Sequence, residues 1–142
     1  MFYVDTSVIV AYYCPEPLSE KAEAFMTGQI QPAISALTEV ELFSALSRKV
    51  RDGGMDKADG NRIIAEFLSH VDGLYYTKLL IEPHHYQLAR DWIGQFKTPI
   101  RMLDALHLAI ASSERLTIVT ADETLAKSVE TLSVNVHLLS PD

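Results

Sequence analysis

Short apolar runs separated by polar residues, glycines and prolines divide the chain into alternating strands and helices. Residues 1–4 (MFYV) are a β-prone run that stops at Asp5. Thr6 and Ser7 can cap a short helix over 8–13, which Pro15 and Pro17 stop. A helix over 19–26 closes at Gly28, and residues 32–35 (PAIS) read as a short buried strand. Residues 36–51 carry a strong helical pattern stopped by Gly53-Gly54. Asp56 caps the next helix, through 71, with Gly60 as its weak point. Residues 74–81 (LYYTKLLI) predict a strand, and Glu82-Pro83 opens a helix to about 95. Thr98-Pro99 opens another to about 114, residues 116–120 (LTIVT) a strand, Asp122 a helix to about 132, and 134–139 the last strand.

Five strands alternating with helices predict an α/β fold, a parallel sheet with helices on both faces. Short apolar strands suit a sheet covered on both sides. In such sheets ligands bind at the carboxyl ends of the strands. The length, 142 residues, fits a single domain, 1–142. No repeat, low-complexity run or linker interrupts it.

Position singles out acids. Asp5 follows the first strand and Asp122 the fourth. Each could equally be only a helix cap. Asp104 lies in MLDALHLAIA, where Leu103, Leu106, Leu108, Ala109 and Ile110 surround the axis. A helix apolar nearly all round is buried, and a carboxylate there needs a partner, a proton or a metal. Glu39 and Glu41 share a helix but point roughly 200° apart, and periodicity does not choose between them.

The segments YVDTSVIVAYY, SALTEVELFSAL, LDALHLA and TADETLAKS, in this order, resemble the PIN domain. More narrowly they resemble the VapC-type toxins of bacterial and archaeal toxin–antitoxin pairs, over essentially the whole chain. The resemblance implies sheet order 3-2-1-4-5 and a metal-dependent ribonuclease whose acids converge at the carboxyl edge. Residue by residue it implies Asp5, Glu41, Asp104 and Asp122 as metal ligands and catalytic residues, with Thr6 beside the first acid. It ranks Glu41 over Glu39 and Asp122 over Glu123. The family usually has a glycine before the last strand, where this chain has Leu132-Ser133. The family also implies a homodimer and a small VapB-like antitoxin that inserts a segment into the acidic pocket.

Four carboxylates in one pocket raise one another's pKa unless a cation intervenes. All-oxygen ligands suit Mg²⁺, with Mn²⁺ as a substitute, rather than Zn²⁺. His84 and His85 read as surface residues, and His107 as a packed histidine or one that orients Asp104. The implied reaction is hydrolysis of RNA phosphodiester bonds.

Charge qualifies this reading. Twelve basic residues against nineteen acidic give −7, which opposes a broad nucleic-acid surface. With the four site acids set aside, fifteen acids face twelve bases and −3 remains. Arg48, Lys49, Arg51, Lys57 and Arg62 form one basic set, and Arg90, Lys97 and Arg101 a second. Either is a candidate for phosphate contacts or a solvated face. Tyr12, Tyr13, Tyr75, Tyr76 and Trp92 could stack on bases, though packing is the simpler role.

The lone Cys14 and the lack of any run of ~20 apolar residues suit a soluble cytoplasmic protein with no membrane contact. Three other readings remain: a PIN ribonuclease that processes RNA without an antitoxin, an inactive PIN fold that binds RNA or protein, and a phosphoacceptor domain. The last fits poorly. The first strand ends in a lone acid followed by Thr6-Ser7, and Leu139-Ser140 supplies no lysine after the fifth.

Overall fold

The computed structural model describes residues 1–141. Its first strand, β1 (Phe2–Val4), alternates its side chains between two cores. Tyr3 packs on one side, while Phe2 and Val4 face the other. β2 (Ala33–Ser35) and β4 (Thr117–Thr120) pair with β1 in parallel, and β3 (Thr77–Leu79) and β5 (Val136–Leu138) lie at the edges. The order is β3-β2-β1-β4-β5, as the family resemblance implies.

Helices cover both faces. α1 (Thr6–Tyr13), α2 (Ser19–Thr27), α3 (Ala36–Arg51) and α4 (Lys57–Asp72) close the core around Val4, Ile9, Ile34, Phe67 and Val119. α5 (Pro83–Gly94), α6 (Met102–Ser113) and α7 (Glu123–Thr131) close the other around Tyr3, Leu108, Ile110 and Ile118. Gly60 lets α4 approach α3: a Cβ there would stand 3.4 Å from the Val50 side chain. Among the described residues no helix is long and apolar enough to cross a membrane.

Several boundaries differ from the sequence reading, each for a physical reason. α1 begins at Thr6, directly after Asp5, because the Thr6 and Ser7 hydroxyls bond to carboxylates instead of capping the helix. α6 begins at Met102, not at Pro99. Arg101 is extended (φ −93°, ψ 172°), and the stretch before it buries Ile100 in the core. β3 is shorter than 74–81. Leu74 is left-handed (φ 59°), and Tyr75 and Tyr76 pack on the α1–α4 side. β3 and β5 are half exposed, as edge strands, so only the three central strands are buried on both faces.

His85 is not a surface residue. It is buried, and its Nδ1 accepts from the Glu82 backbone N–H at 2.9 Å, fixing the start of α5. The tyrosines pack among themselves: the Tyr13 hydroxyl lies 2.6 Å from both the Tyr76 hydroxyl and His70 Nδ1. Tyr12 and Tyr75 meet at 3.3 Å, and Trp92 packs against the α5–α7 core.

Candidate active site

The four acids come from four different elements and meet at the carboxyl edge of the sheet. Asp5 follows β1, Glu41 lies on α3, Asp104 in the first turn of α6, and Asp122 between β4 and α7. All four, with Thr6 and Ser7, line one cleft of about 610 Å³. Glu39 does not; it pairs with Lys78 at 3.0 Å.

Three of the acids are anchored through a single oxygen. Asp5 Oδ2 accepts from Ser7 Oγ at 2.6 Å and Thr120 Oγ1 at 2.8 Å. Those hydroxyls are themselves oriented, since the backbone N–H of Ala121 donates to Ser7 and that of Asp122 to Thr120, each at 3.0 Å. Glu41 Oε1 accepts from Thr6 Oγ1 at 2.8 Å and from His107 Nε2. Asp122 Oδ1 accepts from the backbone N–H groups of Thr124 (2.9 Å) and Leu125 (3.2 Å). Asp122 is thus a helix cap as well as a cleft residue. The second oxygen of each carboxylate has no hydrogen-bond partner among the described residues.

His107 touches Glu41, not Asp104, so the orienting role belongs to a different acid. The ring is 1% exposed. Nε2 faces Glu41 Oε1, and Nδ1 lies 2.6 Å from the Tyr3 hydroxyl. Tyr3 in turn lies 2.9 Å from Ser35 Oγ. A buried polar chain, Ser35–Tyr3–His107–Glu41, therefore runs from β2 across β1 and α6 to the cleft. Burial drives the Tyr3 phenol well above its ordinary pKa, so it stays a neutral donor. Sequence reading missed Tyr3, Ser7, Ser35 and Thr120. The signal for two of them was present, hydroxyls flanking each strand-end acid in DTS and TAD. Tyr3 gave none, because a tyrosine in an apolar strand reads as core.

Two ionisations are displaced. Burial pushes Glu41 up, but the His107 hydrogen bond and charge, with the Thr6 hydroxyl, outweigh it and hold the carboxyl below its usual range. Asp104 is pushed up by burial first and then by the charges of Asp5 and Asp122. The Arg101 backbone and His107 only partly oppose this. Asp104 is half-buried rather than enclosed, because Met102 and Leu103 in the same turn are exposed.

The donors suit a hard divalent cation in kind: carboxylates with free oxygens and unrelieved mutual repulsion. The described residues do not form a closed cage, since no three Asp, Glu, His or Cys side chains gather tightly enough to hold an ion.

Comparison with known proteins agrees with the fold. A family model described as the PIN domain matches residues 2–129. No curated protein sequence matches the chain. Among solved structures, the chain is similar to FitAcB from Neisseria gonorrhoeae at 21% identity and TM-score 0.71, covering 96% of both chains. The VapC20 toxin of Mycobacterium tuberculosis, described as cleaving the sarcin–ricin loop, aligns at 14% identity and TM-score 0.73, covering 90% of this chain and 95% of that one. VapBC2 from Rickettsia felis, bound to a promoter DNA fragment, aligns at 19% identity and TM-score 0.68, covering 97% and 98%.

Proposed function

Because the chain belongs to the PIN domain family, we propose that it is a divalent-metal-dependent endoribonuclease and the toxin of a toxin–antitoxin pair. The observation that carries this reading is the set of four carboxylates lining one cleft, three of them pinned through one oxygen and free at the other. Asp5 and Asp104 would be the main ligands of Mg²⁺, or of Mn²⁺ in its place, with Asp122 and Glu41 completing the site. The ion supplies Lewis acidity toward a phosphoryl oxygen and a water of lowered pKa.

The chain's own residues supply the positioning. Ser7 and Thr120 fix the Asp5 carboxylate from two sides. Thr6 and His107 keep Glu41 ionised with Oε2 free, where it can accept a hydrogen bond from a water facing the phosphate. Asp122 lines the same cleft from the start of α7 and keeps one oxygen unpartnered among the described residues.

The partners proposed are RNA as substrate, a small VapB-like antitoxin and a second copy of the chain. The names of the similar VapBC and FitAcB structures support the toxin reading, and a basic antitoxin side chain in the cleft would offset the same carboxylates that a cation offsets. The cytoplasm is the proposed compartment, in keeping with a single buried thiol, Cys14.

The test is cleavage of a mixed pool of structured and unpaired RNA by the purified protein with Mg²⁺ or Mn²⁺. Cleavage is expected, with loss in EDTA and in Asp104→Asn. Cleavage that persists in both controls would place the chemistry elsewhere. Inactivity with either ion, combined with RNA binding, would favour a binding-only PIN domain.

A further inference from the structure

Several basic side chains are already committed. Lys49 pairs with Glu16 at 3.0 Å, Lys78 with Glu39 at 3.0 Å, Arg62 with Asp59 at 2.8 Å and Arg90 with Asp91 at 3.1 Å, while Arg51 donates to Ser47. Arg48 and Arg101 differ. Both are exposed, and neither has an ion-pair partner among the described residues. Yet both line a cavity of about 490 Å³ together with Glu41 and Asp104.

That cavity continues the acidic cleft. The two spaces share Glu41, Arg48, Leu103 and Asp104. Arg48 reaches it from α3, and Arg101 from the extended residue before α6. The two arginines therefore stand on different elements in the space adjoining the cleft, and Arg48 also lines the cleft itself with Asp5 and Asp122. Their natural acidic partners are engaged or unfavourably placed. Glu41 gives Oε1 to Thr6 and His107, and Asp104 is half-buried in the first turn of α6. In a chain of net charge −7, two guanidinium groups kept unpaired beside a carboxylate cluster call for an anion from outside.

We infer that Arg48 and Arg101 form a backbone-phosphate subsite that grips a phosphate of the RNA strand neighbouring the scissile one. This rests on the nuclease reading above and names how its substrate is held. Arginine suits the task because its planar fork can donate two parallel hydrogen bonds to a phosphate. Contacts of this kind position a strand without reading its sequence. They also answer the charge objection: a polyanion must pass four carboxylates, and a clamp beside them supplies attraction where it is needed. The helix register explains the placement, since Arg48 lies seven residues, two turns, beyond Glu41 on the same face of α3.

The experiment compares wild type with Arg48→Gln, Arg101→Gln and the double variant, all full-length. The probe is a short unstructured RNA of mixed sequence, cleaved in Mn²⁺. Each single variant is expected to raise KM by about tenfold, with a smaller effect on kcat. The slope of log affinity against log salt should fall by about 0.7 for each arginine removed, measured in the Asp104→Asn background so that the RNA stays intact. Mn²⁺ affinity by calorimetry should match wild type in all three, which shows that fold and acidic site are intact. Unchanged KM and salt slope in the double variant, with a wild type that cleaves, would overturn the subsite and leave the nuclease reading standing. A wild type that neither binds nor cleaves RNA would overturn the nuclease reading and the subsite with it. Recovery by Arg48→Lys of the salt slope but not of KM would match a fork-shaped contact, whereas full recovery of both would reduce the subsite to a point charge.

Discussion

At the scale of single residues, three of the site's four carboxylates are pinned through one oxygen. One oxygen of Asp5, Glu41 and Asp122 is held by hydroxyl, imidazole or backbone donors, and the other has no hydrogen-bond partner among the described residues. Charged hydrogen bonds of this sort are stronger than neutral ones and hold a side chain in one rotamer. Asp122 separates a structural role from the proposed catalytic one most cleanly, because its anchored oxygen caps α7. Asparagine caps a helix about as well as aspartate, and alanine does not. Asp122→Asn should therefore keep the stability of the wild type, while Asp122→Ala loses about 1 kcal/mol. Both should lose most RNA cleavage. Urea unfolding and cleavage, run side by side, check this. A fully active Asp122→Asn would reduce Asp122 to a cap and remove it from the catalytic set.

At the scale of elements, the helix ends explain which boundaries were legible in the sequence. α3 stops as glycine predicts: Gly53 is left-handed (φ 80°), and Gly54 N–H donates back to the Lys49 carbonyl at 3.0 Å. α4 and α6 close with the same pair of bonds but put Leu74 (φ 59°) and Arg115 (φ 56°) in the left-handed position. Tyr75 N–H reaches the His70 carbonyl at 2.9 Å, and Leu116 N–H the Ala111 carbonyl at 2.8 Å. Ser133 is left-handed too (φ 58°), at the join where family members usually carry glycine. A side chain in this conformation costs roughly 1–2 kcal/mol, partly offset by the greater freedom of glycine in the unfolded chain. Leu74→Gly, at an exposed side chain, should raise stability by about 0.5–1 kcal/mol, read as a higher urea midpoint with an unchanged slope. A lower midpoint would mean that the Leu74 side chain contributes packing its exposure hides. The same ends show why sequence reading placed strands and helices in order but misjudged the start of β3: Leu74 looks like a strand residue and is a helix terminator. The four acids were legible for another reason. Strand order fixes where Asp5 and Asp122 lie, and an apolar helix makes Asp104 conspicuous, whereas Glu41 was separable from Glu39 only through the resemblance. The Tyr3–His107 chain could not be read, because it joins residues 104 apart through a hydrogen bond that leaves no periodic trace.

At the scale of the whole molecule, the net charge of −7 is not spread evenly, since five of the nineteen acids line one cleft, and of these Glu16 is paired with Lys49. Their repulsion is visible at Asp104, raised by burial and by Asp5 and Asp122. A carboxyl whose folded pKa lies above its unfolded value of about 3.9 binds protons more readily in the native state. Native stability therefore falls as pH rises from the unfolded pKa to the folded one, and the full penalty is present above it. Below the unfolded pKa both states are protonated and the penalty is gone. Asp104→Asn removes the penalty, so the cation-free variant should melt a few degrees above wild type at neutral pH, with the gap closing as pH falls below the carboxylate range. A divalent cation should stabilise both proteins, and wild type more. In wild type it neutralises the cluster and adds about 2.7 kcal/mol at a hundredfold excess over Kd, whereas in the variant one ligand charge is missing and the gain is smaller. Thermal melts with EDTA, Mg²⁺ and Mn²⁺ across pH check both signs together. If wild type fails to rise with either cation and Asp104→Asn is no more stable than wild type without one, the carboxylates are not a strained cluster awaiting a counter-ion, and their meeting at the sheet edge is no longer grounds for a metal site.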